Sequence, residues 1–265
     1  MILQKFIKED LNLLIDTHCH LDEYINPRDI ITSAEAVGVG RVIAVGMHVT
    51  QFQKILEIAS QFETVCPALG IHPQEVQDYP DITTEFPRFV KFIQEQITRL
   101  VAIAEIGLDH HFIKDAALWP LEDEIFEKML SLAEENTLPV SLHVKGAELK
   151  VLEHLESYSL PAIVIHWFSG PNEVYNKAID RGYYFSIPQA IRYSPVVQKT
   201  AQETPLEQIL LESDGPATFR GVVGEPKDCA FIISEIAKRR RVSRENLEKI
   251  IEINTRRVFP RAFQL

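Results

Sequence analysis

"LLIDTHCHLD" (residues 13–22) passes within ten residues from an apolar, β-prone run to two histidines separated by a single residue. In extended backbone, alternate side chains share a face, so Leu14, Asp16, His18 and His20 point one way and Leu13, Ile15, Thr17 and Cys19 the other. Two imidazoles therefore converge at the end of a strand. Neutral imidazole is the commonest nitrogen donor for zinc and similar ions, so His18 and His20 read as candidate metal ligands. A lone His-x-His is equally at home in a loop, and the rest of the chain has to decide between the two.

Working outward, short apolar, β-branched runs recur, each followed by a longer segment of helical periodicity, which is the sequence sign of parallel βαβ units. Strands are predicted at residues 13–18, 42–46, 65–71, 101–106, 139–143, 162–166, 183–187 and 209–213. Helices are predicted between them at 28–37, 51–62, 86–100, 121–136, 147–157, 172–181 and 195–203, with two more near 227–240 and 244–258. Eight alternations in this length fit a closed (β/α)8 TIM barrel, of α/β class, better than an open doubly wound sheet. No internal repeat, low-complexity tract or Gly/Ser linker marks a second domain, so residues 1–265 are expected to form a single barrel domain.

In such a barrel, chemistry belongs where the βα loops gather, at the carboxyl ends of the strands. The first predicted strand ends in His18 and His20, the third runs into "GIHP" with His72, and the fourth carries Glu105 in "AEIGLDHH". The fifth ends at His143, the sixth at His166, and the eighth reaches Asp214. So many ligand-type residues at strand ends overturn the loop reading of His18 and His20. Mixed imidazole and carboxylate donors suit divalent ions, and four histidines with two carboxylates can supply two sites sharing a bridge. A structural zinc would more often recruit cysteines.

Composition narrows the setting. The 265 residues are 46% hydrophobic, enough for a buried core, and no apolar run approaches the ~18 residues that span a bilayer. The opening "MILQKFIKEDLN" interrupts its apolar residues with charges, so no membrane association is expected. Cys19, Cys66 and Cys229 are odd in number and widely spaced, which suits a cytoplasmic protein without disulfides. The net charge of −11 is uneven: residues from 219 onward hold 11 Lys and Arg against 6 Asp and Glu, leaving 16 against 32 before them. An acidic body opposes general affinity for nucleic acid, and "KRRR" at 238–241 reads as a solvated helix end.

The stretches "IDTHCHLD", "GIHP", "AIAEIGLDHH", "LPVSLHVKGA", "IHWFSG", "YYFSI" and "LLESDGPA" carry a resemblance over nearly the whole chain. In that order and spacing the sequence resembles the TatD family of metal-dependent hydrolases, TIM barrels within the wider amidohydrolase group. The resemblance implies two divalent cations (zinc, manganese or magnesium): one held by His18, His20, Glu105 and Asp214, the other by Glu105, His143 and His166. It also implies a phosphodiesterase or deoxyribonuclease activity, hence a phosphodiester or nucleic-acid substrate. Such ions lower the pKa of a bound water toward roughly 7. Asp214, with Glu105 beside it, is the expected catalytic carboxylate, taking the water's proton and passing it to the leaving group.

Around this set the expectations are finer. His72 and Lys145 are candidate substrate-binding residues; Lys145 stands where the family usually has Arg, which removes a forked donor. Asp16 is expected to orient a ligand imidazole from behind, and Glu212 likewise. Cys19 reads as a small buried residue, while His110 and His111, where the family often has Tyr, read as loop residues. Trp167, where Cys is frequent, reads as rim packing. Ser213 replaces a frequent Thr, and "GEP" at 224–226 lacks the usual preceding Asn. Hydrolysis of a carboxyl ester, lactone or amide, as in the wider amidohydrolase group, is the alternative activity, and a barrel that binds metal without turnover is the third reading.

Overall fold

The computed structural model describes residues 13–264, so the opening segment read above lies outside the described residues. Eight strands form one sheet in sequence order, every neighbouring pair parallel. They are β1 (Leu14–Cys19), β2 (Val39–Gly46), β3 (Val65–Leu69), β4 (Ala102–Asp109), β5 (Val140–Lys145), β6 (Ile163–Ile165), β7 (Tyr184–Ile187) and β8 (Ile209–Leu211). Among the described residues ten α-helices pack among and after them: α1 (Pro27–Glu35), α2 (Phe52–Gln61), α3 (Glu75–Asp78), α4 (Ile82–Gln96), α5 (Trp119–Glu135), α6 (Glu148–Leu155), α7 (Asn172–Asp180), α8 (Pro195–Glu203), α9 (Cys229–Arg240) and α10 (Arg244–Val258). Proline at the first helical position opens α1 and α8, and serine side chains cap α8 and α10 by accepting from Val197 N–H and Asn246 N–H. No helix among the described residues is long and apolar enough to cross a membrane.

The alternation of apolar residues sets which core each strand feeds. Val42 and Ala44 face the helices, whereas Ile43 and Val45 join Cys66, Ala68, Val164 and Leu210 inside the barrel. That inner cluster is closed at the amino ends of the strands by Phe259 and Ala262, whose chain accepts from Arg41 Nε at Ala262 O. The opposite, carboxyl-end half of the interior is filled with polar side chains, which is where the fold spends its buried charge.

The seam between β1 and β8 is closed by side chains as well as backbone. Thr17 Oγ1 donates to Leu211 O, Asp214 N to His18 O, and His20 N to Gly215 O. Asp16 accepts from Ser213 N at 2.9 Å, Ser213 Oγ at 2.5 Å and His18 N at 3.2 Å. Asp16 therefore staples two strands and touches no imidazole, correcting the expectation that it orients a ligand ring. Burial pushes its carboxyl up to about 7 against the pull of the Ser213 and His18 hydrogen bonds.

Strand boundaries depart from expectation where tertiary contacts take over. β3 and β8 stop two residues early, but Glu212 to Asp214 remain buried, Glu212 N donating to Ile187 O on β7 and Ser213 and Asp214 bonding to β1. α4 starts four residues early, because Pro87 inside it forfeits a single helical hydrogen bond. A short antiparallel hairpin, β9 (Thr218–Phe219) and β10 (Val222–Val223), was not expected. β4 runs on to Asp109 by pairing Gly107, Leu108 and Asp109 with His143, Val144 and Lys145. Gly107 makes this possible: its φ is +150°, and a Cβ there would lie 1.8 Å from His143 O. Gly107→Ala is accordingly expected to destabilise the fold by about 3 kcal/mol or more, read from urea unfolding curves.

Candidate metal centre

Glu105 stands at the centre of the polar half, 2% exposed, on β4. Its two oxygens face different partners. Oε2 lies 3.4 Å from His18 Nε2 and 3.7 Å from His20 Nε2, both from the end of β1. Oε1 lies 2.9 Å from His143 Nδ1 on β5, 2.6 Å from His166 Nε2 after β6, and 3.6 Å from His72 Nε2 after β3. Asp214, just past β8, places Oδ1 3.5 Å from His20 Nε2 and 3.8 Å from His18 Nε2. Every candidate ligand read from the sequence thus reaches one cluster, drawn from five strands, and His72 after β3 joins it from a sixth. Three overlapping groups within it have donor atoms close enough to hold an ion: His18, His20 and Asp214; His18, Glu105 and His166; and His72, Glu105 and His143.

The donor atoms themselves fit a cation. His18 Nε2, 3.4 Å from Glu105 Oε2, and His166 Nε2, 2.6 Å from Glu105 Oε1, are buried beside carboxylate oxygens yet make no well-directed hydrogen bond. Such orphaned buried nitrogens are costly unless something else satisfies them. Electrostatics agrees. Burial alone would raise the Glu105 carboxyl, but the His166, His72 and His18 imidazoles and the His143 hydrogen bond outweigh it and hold it well below the usual range. Asp214 is lowered too, its burial outweighed by the His20 hydrogen bond and the surrounding imidazoles. Reciprocally, His20 is driven up to about 9 against its burial, and His166 is also raised, by these carboxylates and, for His166, by Glu212. Burial lowers His18 and His72 instead, so these rings stay neutral while Glu105 and Asp214 stay ionised, the protonation that metal ligands need.

Behind the ring of donors stand residues that fix it. Glu212 Oε2 lies 3.7 Å from His166 Nδ1 while accepting from Ser186 Oγ and, through Oε1, Trp167 N. His20 Nδ1 meets Val45 O at 3.1 Å, and His18 Nδ1 meets Ser141 Oγ at 3.4 Å. Asp109, which the sequence reading passed over, accepts from His143 Nε2 at 2.8 Å and is itself held by the backbone N–H groups of His111 and Phe112. Its signal was available: Asp109 has the strand parity of Glu105.

The cluster floors a cavity of about 310 Å³, whose wall includes Glu23, Met47, Gln74, Phe112, Lys145, Trp167 and Ala217. Lys145 Nζ donates to Ser169 Oγ at 2.7 Å and Trp167 O at 3.2 Å, and burial lowers its pKa. A larger groove of about 530 Å³ lies beside α2 and α4 but contains none of the cluster's ligands. His110 stacks on Trp119 at 3.9 Å and stays out of the cavity wall. His48 pairs with Glu75, and His154 lies between Asp123 and Glu127, both apart from the centre. Cys19 is buried, with its thiol against Gly215 O.

An eight-stranded parallel barrel with His, Glu and Asp converging at its carboxyl mouth is the architecture of a metal-dependent hydrolase. The TatD related DNase family matches residues 15–260, and the chain belongs to it. Human deoxyribonuclease TATDN3 is 28% identical over 260 residues, covering 94% of this chain and 95% of that protein. The metal-dependent hydrolase YjjV of Escherichia coli is 28% identical over 256 residues, covering 92% and 97%. The crystal structure of YjjV matches with a TM-score of 0.83 at 26% identity, over 95% of this chain and 99% of that one.

Proposed function

We propose that this chain hydrolyses phosphodiester bonds, with nucleic-acid ends or small phosphodiesters as substrates, using two divalent ions at the barrel mouth. The observation that carries the reading is the division of Glu105: one oxygen faces the β1 histidines and the other faces His143 and His166, as a bridging carboxylate would. His18, His20, Glu105 and Asp214 would hold one ion and Glu105, His143 and His166 the other. Imidazole and carboxylate donors suit zinc or manganese, with magnesium the less natural fit. The names of the relatives, deoxyribonuclease and metal-dependent hydrolase, favour this bond type.

When bound, such ions acidify water and offset charge on the reacting group. The chain's own residues supply the rest. Asp214, kept ionised and 8% exposed at the cavity wall, takes a proton from the attacking water and returns it to the leaving oxygen. Lys145 offers an ammonium to a non-bridging oxygen, and the cavity size limits how much of the substrate enters beside the centre. Residues 1–265 acting as one catalytic domain completes the reading.

A second reading, hydrolysis of a carboxyl ester, lactone or amide, draws on Lys145 being a point charge in place of a phosphate-matching fork. A panel separates them: a short single-stranded oligonucleotide, bis(p-nitrophenyl) phosphate and several carboxyl esters, each assayed with chelator-stripped protein and after adding zinc, manganese or magnesium. Turnover of the phosphodiesters alone, restored by metal, is the expected result, and ester turnover alone would replace this reading with the second. Lys145→Ala is expected to raise KM for the phosphodiester about tenfold, the order of a lost charge-assisted hydrogen bond.

A further inference from the structure

The hydrogen bonds on the outer sides of three of the five clustered imidazoles, those of His20, His143 and His72, sort these three chemically. A neutral imidazole carries one N–H and one lone pair, so the partner of one nitrogen fixes what the other offers. His20 Nδ1 faces a carbonyl, Val45 O, and can only donate there, so when His20 gives up its second proton to a cation it is the Nε2 lone pair, beside Asp214 and Glu105, that is freed. His143 is bonded to a carboxylate on each side, Asp109 at Nε2 and Glu105 at Nδ1; in its neutral form with the proton kept on the Asp109 side, it would free Nδ1 toward Glu105 for a cation. His166 Nδ1 lies 3.7 Å from Glu212 Oε2, beyond hydrogen-bond distance, and His18 Nδ1 meets the Ser141 hydroxyl, which can donate or accept, so neither ring is assigned by its outer partner. His72 is the reverse of His20 and His143. Its Nδ1 accepts from the backbone N–H of Gln74 at 3.2 Å, so its proton sits on Nε2, the nitrogen aimed at Glu105 Oε1 from 3.6 Å.

We infer that His72 serves the site as a hydrogen-bond donor to an oxygen of the anionic substrate, and not as a further metal ligand, although its position among Glu105 and His143 would allow ligation. This rests on the phosphodiester reading for the identity of the oxygen. His72 is 3% exposed and lines the cavity, so its N–H is presented dry and pre-aimed, the arrangement in which a donor acts most strongly on developing charge. The Gln74 amide, at the start of α3, is what holds this tautomer.

The test uses the full chain loaded with zinc, comparing wild type with His72→Ala and His72→Gln. Long-range ¹⁵N spectra of the wild type are expected to report a proton on His72 Nε2 and none on Nδ1. His72→Ala is expected to keep the wild-type zinc count and to bind zinc within about threefold. Its kcat on bis(p-nitrophenyl) phosphate should fall on the order of 100-fold, and its affinity for inorganic phosphate, by calorimetry, on the order of tenfold. His72→Gln, which keeps a donor, should recover part of both losses, and a purely structural role would not produce that recovery. A lower zinc count, a tenfold loss of zinc affinity, or unchanged kcat and phosphate affinity in His72→Ala would overturn the inference. If the wild type hydrolyses no phosphodiester, the proposed function falls, while the spectra, zinc counts and phosphate titrations still decide the role of His72.

Discussion

Glu105→Ala is expected to cost both ions and essentially all activity: metal per chain, by elemental analysis, should fall from near two to below one, and phosphodiester turnover by at least ~10³-fold. The size of the effect follows from the carboxylate's position. No other residue in the cluster reaches both the β1 histidines and the pair from β5 and β6. Removing Asp214 would leave the second group intact, and removing His143 would leave the first. Without Glu105, the inner nitrogens of His143 and His166 face no carboxylate, since Asp109 and Glu212 stand on their outer sides, and only Asp214 remains beside His18 and His20. A Glu105→Ala protein that retains two ions would show that the carboxylate does not bridge. Glu105→Gln gives the finer comparison, since its carbonyl can serve one ion but its NH₂ cannot serve the other.

Much of this centre was legible because a barrel converts sequence pattern into position. The end of each apolar run lands at one mouth, so residue type at strand ends was enough to gather His18, His20, His72, Glu105, His143, His166 and Asp214. Strand parity was also enough to set Cys19 apart from its neighbours. The outer partners were less legible. Asp16 and Glu212 look alike on paper, each a buried carboxylate two residues from a ligand position. Only the register between β1 and the end of β8 sends Asp16 to Ser213, and only the approach of β6 brings Glu212 to His166. Asp109 was missed because β4 was ended at residue 106. The extension to Asp109 depends on Gly107 meeting the His143 carbonyl, a contact 36 residues away that no local pattern encodes. The tautomer of His72 depends on a backbone N–H in a turn after β3, and the hairpin after β8 on so few residues that neither periodicity applies.

Asp214→Asn is the second large effect, and it separates chemistry from metal binding. The substitution keeps the shape of the side chain and the Asp214 N–H bond to His18 O, so melting temperature should change little. What it removes is the negative charge beside His18 and His20 and the only use Asp214 has as a base. Turnover should fall ~10³- to 10⁴-fold through loss of proton transfer and of the first ion's charge partner, since general acid–base catalysis alone contributes roughly 10²–10⁴. Affinity for the first proposed ion should weaken, while the second, which Glu105, His143 and His166 would hold, should remain countable. The pH dependence supplies an independent reading. Because His20, His18 and His166 hold the Asp214 carboxyl below its ordinary range, it is ionised throughout the neutral region. The amide in the variant has nothing to titrate at this position, so raising the pH from 6 to 9 should not restore its turnover. A variant that binds one ion, melts like the wild type and still turns over at full rate would move the base role from Asp214 to another residue on the cavity wall, and Glu23, exposed there, is the first to examine.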